Sequence, residues 1–292
     1  MKLLVQPDDG SGPLLRAIAE AESSIDLSVF RLAYPKIKRA LADAVVRGVA
    51  VRALIAKING PSEGPLRKLE SQLLDMGVTV SRTDEDLLRY HAKVVIIDRA
   101  TLYVLGYNFT RRDIEESRSL GVATRQKSLV AEALRLFEAD FDRQPYTPAL
   151  DQLVVSPLNS RTALLALIER ARKRLLIYDP RLTDNLMQRA IERRAIAGVE
   201  VRIIGDLEKK LRNVEVARYP NGRMHVRAIV QDSRRAFIGS QGLRRAELDR
   251  RREVGVIVDH KDIVRGVTRV FENDWADTPQ GRRARKAKRG RK

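Results

Sequence analysis

The chain has no cysteine. Disulfides, thiolate metal sites and cysteine nucleophiles are therefore excluded, and a reducing compartment is the natural setting. Aromatic residues make up only 5% of the 292 residues, too few to suggest a stacking platform for single-stranded nucleic acid. No run of about 18 apolar residues occurs, so no membrane-spanning helix is expected. The opening MKLLVQPDDGSG turns acidic after a short apolar run, which is too brief for the apolar centre of a secretory signal. The expectation is a soluble cytoplasmic protein, with peripheral attachment to a membrane left open.

Acid is also short relative to base. Lys and Arg number 56 against 38 Asp and Glu, a formal charge of +18. Residues 281–292, GRRARKAKRGRK, hold eight of the positive charges and no acid, leaving +10 for residues 1–280. Such a tail has no apolar surface to bury and is expected to be disordered. It is then a solvated appendage or an electrostatic anchor to nucleic acid or an anionic membrane surface. The cationic body favours a phosphate-bearing partner, anionic phospholipid or nucleic acid, without choosing between them. With 43% hydrophobic and 32% charged residues, the rest of the chain reads as globular.

What is present is a repeat. At an offset of 150, VQP (5–7) lies over VSP (155–157), Phe30-Arg31-Leu32 over Pro180-Arg181-Leu182, and RGVAVRALI (47–55) over AGVEVRIIG (197–205). At an offset of 134, HAKVVIID (91–98) lies over HVRAIVQD (225–232), SLGV (119–122) over EVGV (253–256), and LFEADF (136–141) over VFENDW (270–275). The change of offset assigns the first half an inserted helical segment, 62–77. Two homologous lobes are expected, 1–145 and 150–280, followed by the tail at 281–292. Strands alternate with helices in each, which argues for α/β/α sandwiches. The helical stripe Ile37, Leu41, Ala44, Val45, opened by Pro35 and closed by Gly48, is one such helix.

Two of the three histidines sit in the same frame. His91 precedes Lys93 by two and Asp98 by seven, and His225 stands in the same relation to Arg227 and Asp232. If these blocks are strands, each imidazole shares a sheet face with its cation. A neighbouring cation lowers the imidazole pKa and keeps it a neutral nucleophile or base until phosphate arrives. The cation then holds the phosphoryl oxygens. Asp98 and Asp232, at strand ends, read as structural turn residues. Arg31 and Arg181 end equivalent strands, where a guanidinium either reaches a phosphate oxygen or stays solvated. His260 reads as a surface residue near a helix start, and Trp275 mirrors Phe141 as packing.

The frame HxK, four residues, Asp, present twice, resembles the phospholipase D superfamily over residues 1–275. That resemblance implies a pseudo-twofold pair of lobes with both His blocks meeting at their interface. It further implies that one His attacks phosphorus to give a phosphohistidine while the other protonates the leaving alcohol, with no cofactor and no metal. Gly106 and Asn108 in the first half, and Ser240 in the second, keep parts of the family's phosphate-holding motif. Glu253, 28 residues after His225, stands where the family often places an acid that orients its His. The sequence departs from the family at Arg227, which replaces Lys, and at Gly242, which replaces Asn. The implied function is a phosphodiesterase or phosphatidyltransferase on phospholipid head groups, as in cardiolipin-synthase-like proteins. The alternatives are a metal-independent nuclease of the same superfamily and a catalytically weak protein that binds nucleic acid or membrane. His91 is expected to be the nucleophile and His225 the acid, the latter oriented by Glu253.

Overall fold

The computed structural model describes residues 1–57 and 64–289, the last three by backbone only. The first lobe comprises β1 (Lys2–Gln6), α1 (Gly12–Ala19), β2 (Ser24–Val29), α2 (Pro35–Val46), β3 (Ala50–Ile55), α3 (Gly64–Asp75), β4 (Thr79–Arg82), β5 (Arg89–Tyr90), β6 (Val94–Ile97), β7 (Thr101–Leu105), α4 (Arg111–Glu115), β8 (Ser117–Thr124) and α5 (Lys127–Phe141). The second repeats it with β9 (Leu153–Val155), α6 (Ser160–Glu169), β10 (Arg174–Leu182), α7 (Asn185–Ile196), β11 (Glu200–Leu207), β12 (Val214–Ala217), β13 (Arg223–Met224), β14 (Ala228–Gln231), β15 (Arg235–Gly239), α8 (Arg245–Asp249), β16 (Arg251–Arg252), β17 (Val254–Val258), α9 (Lys261–Ala276) and α10 (Pro279–Arg289). The main sheets run β1-β8-β7-β6-β2-β3-β4 and β9-β17-β15-β14-β10-β11-β12, the same order strand for strand. Helix α3 lacks a counterpart and accounts for the shift of offset; residues 62 and 63 of that expected segment lie outside the described residues.

Central strands read as unbroken apolar runs because both faces are covered. In β6, Val95 and Ile97 face the helices α1, α2 and α3, while Val94 and Ile96 face the opposite lobe. In β14, Ile229 faces α6 and α7 while Ala228 and Val230 point inward. The inward faces of both sheets share one core with α5 and α9. The rings repeat with the chain: Phe137 packs on Phe141 at 5.4 Å, and Phe271 on Trp275 at 6.0 Å. Among the described residues no helix is long and apolar enough to cross a membrane.

The lobes are laced together by exchanged strands. β5 of the first lobe pairs with β16 of the second, and β13 of the second pairs with the start of β8 of the first. From the last residues of those ladders, two ion pairs also cross over. Arg252 in β16 meets Asp140 in α5 at 3.0 Å, and Arg118 in β8 meets Asp274 in α9 at 3.1 Å. Burial pushes the Asp140 carboxyl up to about 6 even with the guanidinium beside it. Removing one partner would strand the other charge, at a cost of about 3–5 kcal/mol, whereas replacing both with apolar residues is close to neutral. Arg252→Met should therefore lower the urea midpoint sharply, and Arg252→Met with Asp140→Leu should recover most of it. Equal loss in the single and double variants would show that the pair itself stabilises the interface.

The tail departs from expectation. Residues 279–289 form α10, where disorder is expected from residue 281; residues 290–292 lie outside the described residues. Pro279 fits the first turn, and the Thr278 hydroxyl accepts from the Gly281 amide at 3.0 Å, a cap. Ala, Lys and Arg are strong helix formers. Once the end of α9 and this cap nucleate the turn, charge density alone does not melt it.

Candidate active site

The strands exchanged between the lobes place the histidines. Residues 91–93 and 225–227 fall between strands rather than within them, contrary to the expected continuous strand. The chain there leaves a ladder with the other lobe and joins its own sheet. The His91 amide donates to the Arg252 carbonyl at 2.7 Å, and the His225 amide donates to the Arg118 carbonyl at 2.8 Å. The extended backbone still puts each cation beside its histidine. Lys93 Nζ lies 2.8 Å from His91 Nδ1, and Arg227 Nη1 donates to the His225 carbonyl at 3.3 Å.

Glu253 is where the structure corrects the sequence reading. Its carboxylate lies 2.9 Å from His91 Nδ1, serving the histidine of the other lobe and not His225. The cause is the register of β16 on β5: Arg252 pairs with Tyr90, the next residue is His91, and the next on the partner strand is Glu253. Ser240 packs beneath this acid, with the Val254 amide donating to its hydroxyl at 3.1 Å. The same hydroxyl also hydrogen-bonds the Glu253 carboxylate and favours its ionised form. Gly106 serves close approach: a Cβ there would stand 2.8 Å from the Leu120 carbonyl and 3.0 Å from that of Gly239 in the other lobe.

His225 has a looser acid. Its Nδ1 lies 3.8 Å from Asp113 Oδ2 in α4 of the first lobe. Asp113 also accepts from the Asn108 side chain at 2.7 Å and the Asn108 amide at 3.0 Å, and it pairs with Arg223. Among the described residues, Asn108 Oδ1 is buried without a hydrogen-bond partner. In the second lobe Glu247 takes the place of Asp113, accepting from the Gly242 amide at 2.7 Å and Arg227 Nε at 3.2 Å. Asp113, Glu247 and Arg223 escaped the sequence reading, although the 134-residue offset links the two acids.

The two departures from the family pattern are one packing solution. A Cβ on Gly242 would stand 2.6 Å from Glu247 Oε2 and 3.3 Å from Arg227 Nε. The guanidinium and the longer acid fill the space that an Asn side chain would need. Asp98 and Asp232 stand away from this site, each with φ near +50°. Asp98 accepts from the amides of residues 22, 23 and 24, and Asp232 from those of 172, 173 and 174. Burial opposes their ionisation, but these amides outweigh it and hold both carboxyls below the usual range. They tie the β6–β7 and β14–β15 hairpins to the starts of β2 and β10. His260 is an exposed N-cap residue of α9.

Electrostatically the site is buried and rich in cations. Burial, then Lys93 and Arg227, push the His91 pKa well below its ordinary value. Burial and Arg227 do the same to His225. Burial brings Lys93 down to about 7 and raises Glu253. Burial also works against the Arg227 charge, yet Glu247, Glu253 and Asp179 hold its pKa above the usual value. Each cation biases the histidine of the other lobe as well as its own, so the two blocks form one site.

The family model described as "Cardiolipin synthase, PLD-like domain" matches residues 14–141 and 164–275, one range in each lobe. The chain belongs to this phospholipase D-like family. Among curated relatives it is 30% identical over 171 residues to mitochondrial cardiolipin hydrolase of Homo sapiens, covering 56% of this chain and 63% of that one. It is 32% identical over 134 residues to the Mus musculus protein of the same name, covering 44% and 55%. The matches thus span less than two thirds of those relatives. Two solved structures share the fold. Polyphosphate kinase of Porphyromonas gingivalis superposes with a TM-score of 0.79 at 21% identity, covering 93% of this chain and 46% of that one. Phosphatidylserine synthase of Haemophilus influenzae Rd KW20 superposes at 0.70 with 12% identity, covering 94% and 86%.

Proposed function

We propose that this phospholipase D-like protein is a phosphodiesterase or phosphatidyltransferase that works through a phosphohistidine on His91, with phospholipid head-group diesters as substrate. The observation that carries the reading is the Glu253–His91–Lys93 cluster assembled across the lobe interface opposite His225. Glu253 accepts the Nδ1 proton of His91, which leaves the Nε2 lone pair for attack. An ammonium has only protons to give, so Lys93 turns from Nδ1 to the phosphoryl oxygens when substrate enters. His91 Nε2 forms the bond to phosphorus as the bond to the leaving alcohol breaks, and His225 gives that oxygen its proton. Water or a second alcohol, deprotonated by His225, then attacks phosphorus and releases His91. The empty site depresses the His225 pKa, but a bound phosphate offsets Arg227 and Lys93 and raises it again. Lys93, Arg227 and Asn108 hold the oxygens on which charge develops.

The relatives named as cardiolipin hydrolases support the lipid over the nucleic-acid substrate. The +18 charge favours a second reading, nuclease chemistry at the same site. Turnover on anionic phospholipid micelles and on single- and double-stranded DNA, each in excess EDTA, tests both. Phospholipid cleavage that persists in EDTA is expected. Loss in EDTA that one divalent metal restores would overturn the mechanism, and DNA cleavage alone would select the nuclease. Binding of either without turnover would select the catalytically weak alternative.

The pH profile offers a separate check. Lys93 is charged below about 7 in the empty site and loses its proton above it. Since kcat/KM reports the unliganded enzyme, it should decline as pH rises through that value. Lys93→Arg keeps the charge at alkaline pH and should flatten the decline, at lower absolute rate. An unchanged alkaline limb in Lys93→Arg would assign it to another group.

A further inference from the structure

The pseudo-twofold symmetry predicts equal charge on the two flanks of the cleft, and the structure breaks that equality. On the His91 flank, the Phe30 ring stands edge-on to the imidazole, with centroids 4.6 Å apart. The guanidiniums of Arg89 and Arg31 lie 5.2 and 5.6 Å from the centre of that same ring. Arg251 is the register partner of Arg89 in the β5–β16 ladder, and partners in adjacent strands stand side by side on one face. Arg251 shares Glu247 at 3.4 Å with Arg227 and Arg244, and lies 3.9 Å from Glu253. Among the described residues no carboxylate lies within ion-pair distance of Arg31 or Arg89. Partial burial, then the fields of Arg251 and Arg31, lower the Arg89 pKa, so the cluster is held against its own repulsion.

The equivalent positions on the His225 flank are neutralised. Arg181, which answers to Arg31, pairs with Glu208 at 2.9 Å. Arg223, which answers to Arg89, pairs with Asp113. Ser117 answers to Arg251 and carries no charge. Among the described residues, Arg31 and Arg89 beside the proposed nucleophile therefore lack the ion-pair partner that their counterparts on the other flank have. Planar guanidiniums clustered in this way match phosphate oxygens, which accept from each fork in pairs.

We infer that Arg31 and Arg89, with Arg251 beside them, form a subsite for a second phosphate of the substrate, next to the phosphate that is attacked. The inference rests on the proposed function only in locating the first phosphate between the histidines. A second phosphate a few bonds away belongs to a diphosphatidyl lipid and equally to a nucleic-acid strand. Both sources present the same chemistry to the subsite.

The test compares matched substrates within each protein. Phosphatidylglycerol is paired with diphosphatidylglycerol in mixed micelles, and the dinucleotide TpT with its 5′-phosphorylated form pTpT. For the wild type, kcat/KM should favour the two-phosphate member of one pair by about tenfold or more, the effect of one charge-assisted contact. The pair that shows the preference identifies the source. Arg31→Gln with Arg89→Gln should erase the preference, and each single variant should reduce it. Absence of preference in both pairs, or a preference that survives the double substitution, would overturn the subsite. Melting in inorganic pyrophosphate, against equal inorganic phosphate, supplies a readout independent of turnover. Pyrophosphate should raise the wild-type midpoint more than phosphate does, and the double variant should lose that difference while melting no lower than wild type in plain buffer. Equal shifts in the two proteins would refute the subsite even if every substrate, bis(4-nitrophenyl) phosphate included, went uncleaved. That last result alone would refute the proposed function.

Discussion

On an activated diester such as bis(4-nitrophenyl) phosphate, His91→Ala should form no phosphoenzyme, while His225→Ala should still give a burst of nitrophenolate. Nitrophenol, with a pKa of about 7, leaves without help from a general acid, but the attack on phosphorus still requires a nucleophile. The loss in His91→Ala should be on the order of 10⁴–10⁶ in rate, the scale seen when a nucleophile is deleted. His225→Ala should lose roughly 10² or less on this substrate and far more on an alkyl diester. The assignment follows from the unequal support of the two rings. His91 Nδ1 has a fully buried carboxylate at 2.9 Å, whereas the nearest acid to His225 Nδ1 is at 3.8 Å and already holds Asn108 and Arg223. Acid-quench trapping and peptide mapping locate the label. Label on His225, with His91→Ala competent for the burst, would reverse the roles.

The duplicated architecture was legible because repetition amplifies weak signals. One HxK frame is a common accident, but two at a constant offset, flanked by matching strands and helices, define equivalent positions throughout the chain. The shift from 150 to 134 even located α3. What the sequence could not carry was which lobe each side chain serves. Glu253 lies in the second lobe and belongs to His91; Asp113 lies in the first and faces His225. That crossing follows from the β5–β16 and β13–β8 ladders, two-residue strands with no periodicity to detect. Arg227 and Gly242 look like decay when read singly. They become a compensated pair only when the space above Gly242 is seen to hold the guanidinium and Glu247. The helical tail was missed for another reason: its cap, Thr278, belongs to the end of the preceding helix and not to the charged segment.

Glu253→Gln should cut phosphoenzyme formation by roughly 10³–10⁴, and the loss should persist on nitrophenyl substrates. A carboxylate can only accept from Nδ1, which fixes the tautomer with a lone pair on Nε2. A Gln amide can donate to Nδ1 instead and so favour the tautomer with its proton on Nε2, where attack must occur. A carboxylate-to-amide change behind a catalytic histidine costs about 10⁴ by this route in the serine-protease triad. Burial raises the Glu253 pKa, with Lys93 and Arg227 acting against that shift, so the ionised acid depends on the cations it faces. Asp113→Asn makes the contrast. Its effect should pass through His225, so it should be small with nitrophenolate leaving and large with an alkyl alcohol. The dependence on leaving group thus separates the two positioning acids in a way that a general loss of structure would not. If the Glu253→Gln defect instead vanished with nitrophenolate, Glu253 would be serving the leaving-group acid, and the contact with His91 across the lobe interface would not set the chemistry.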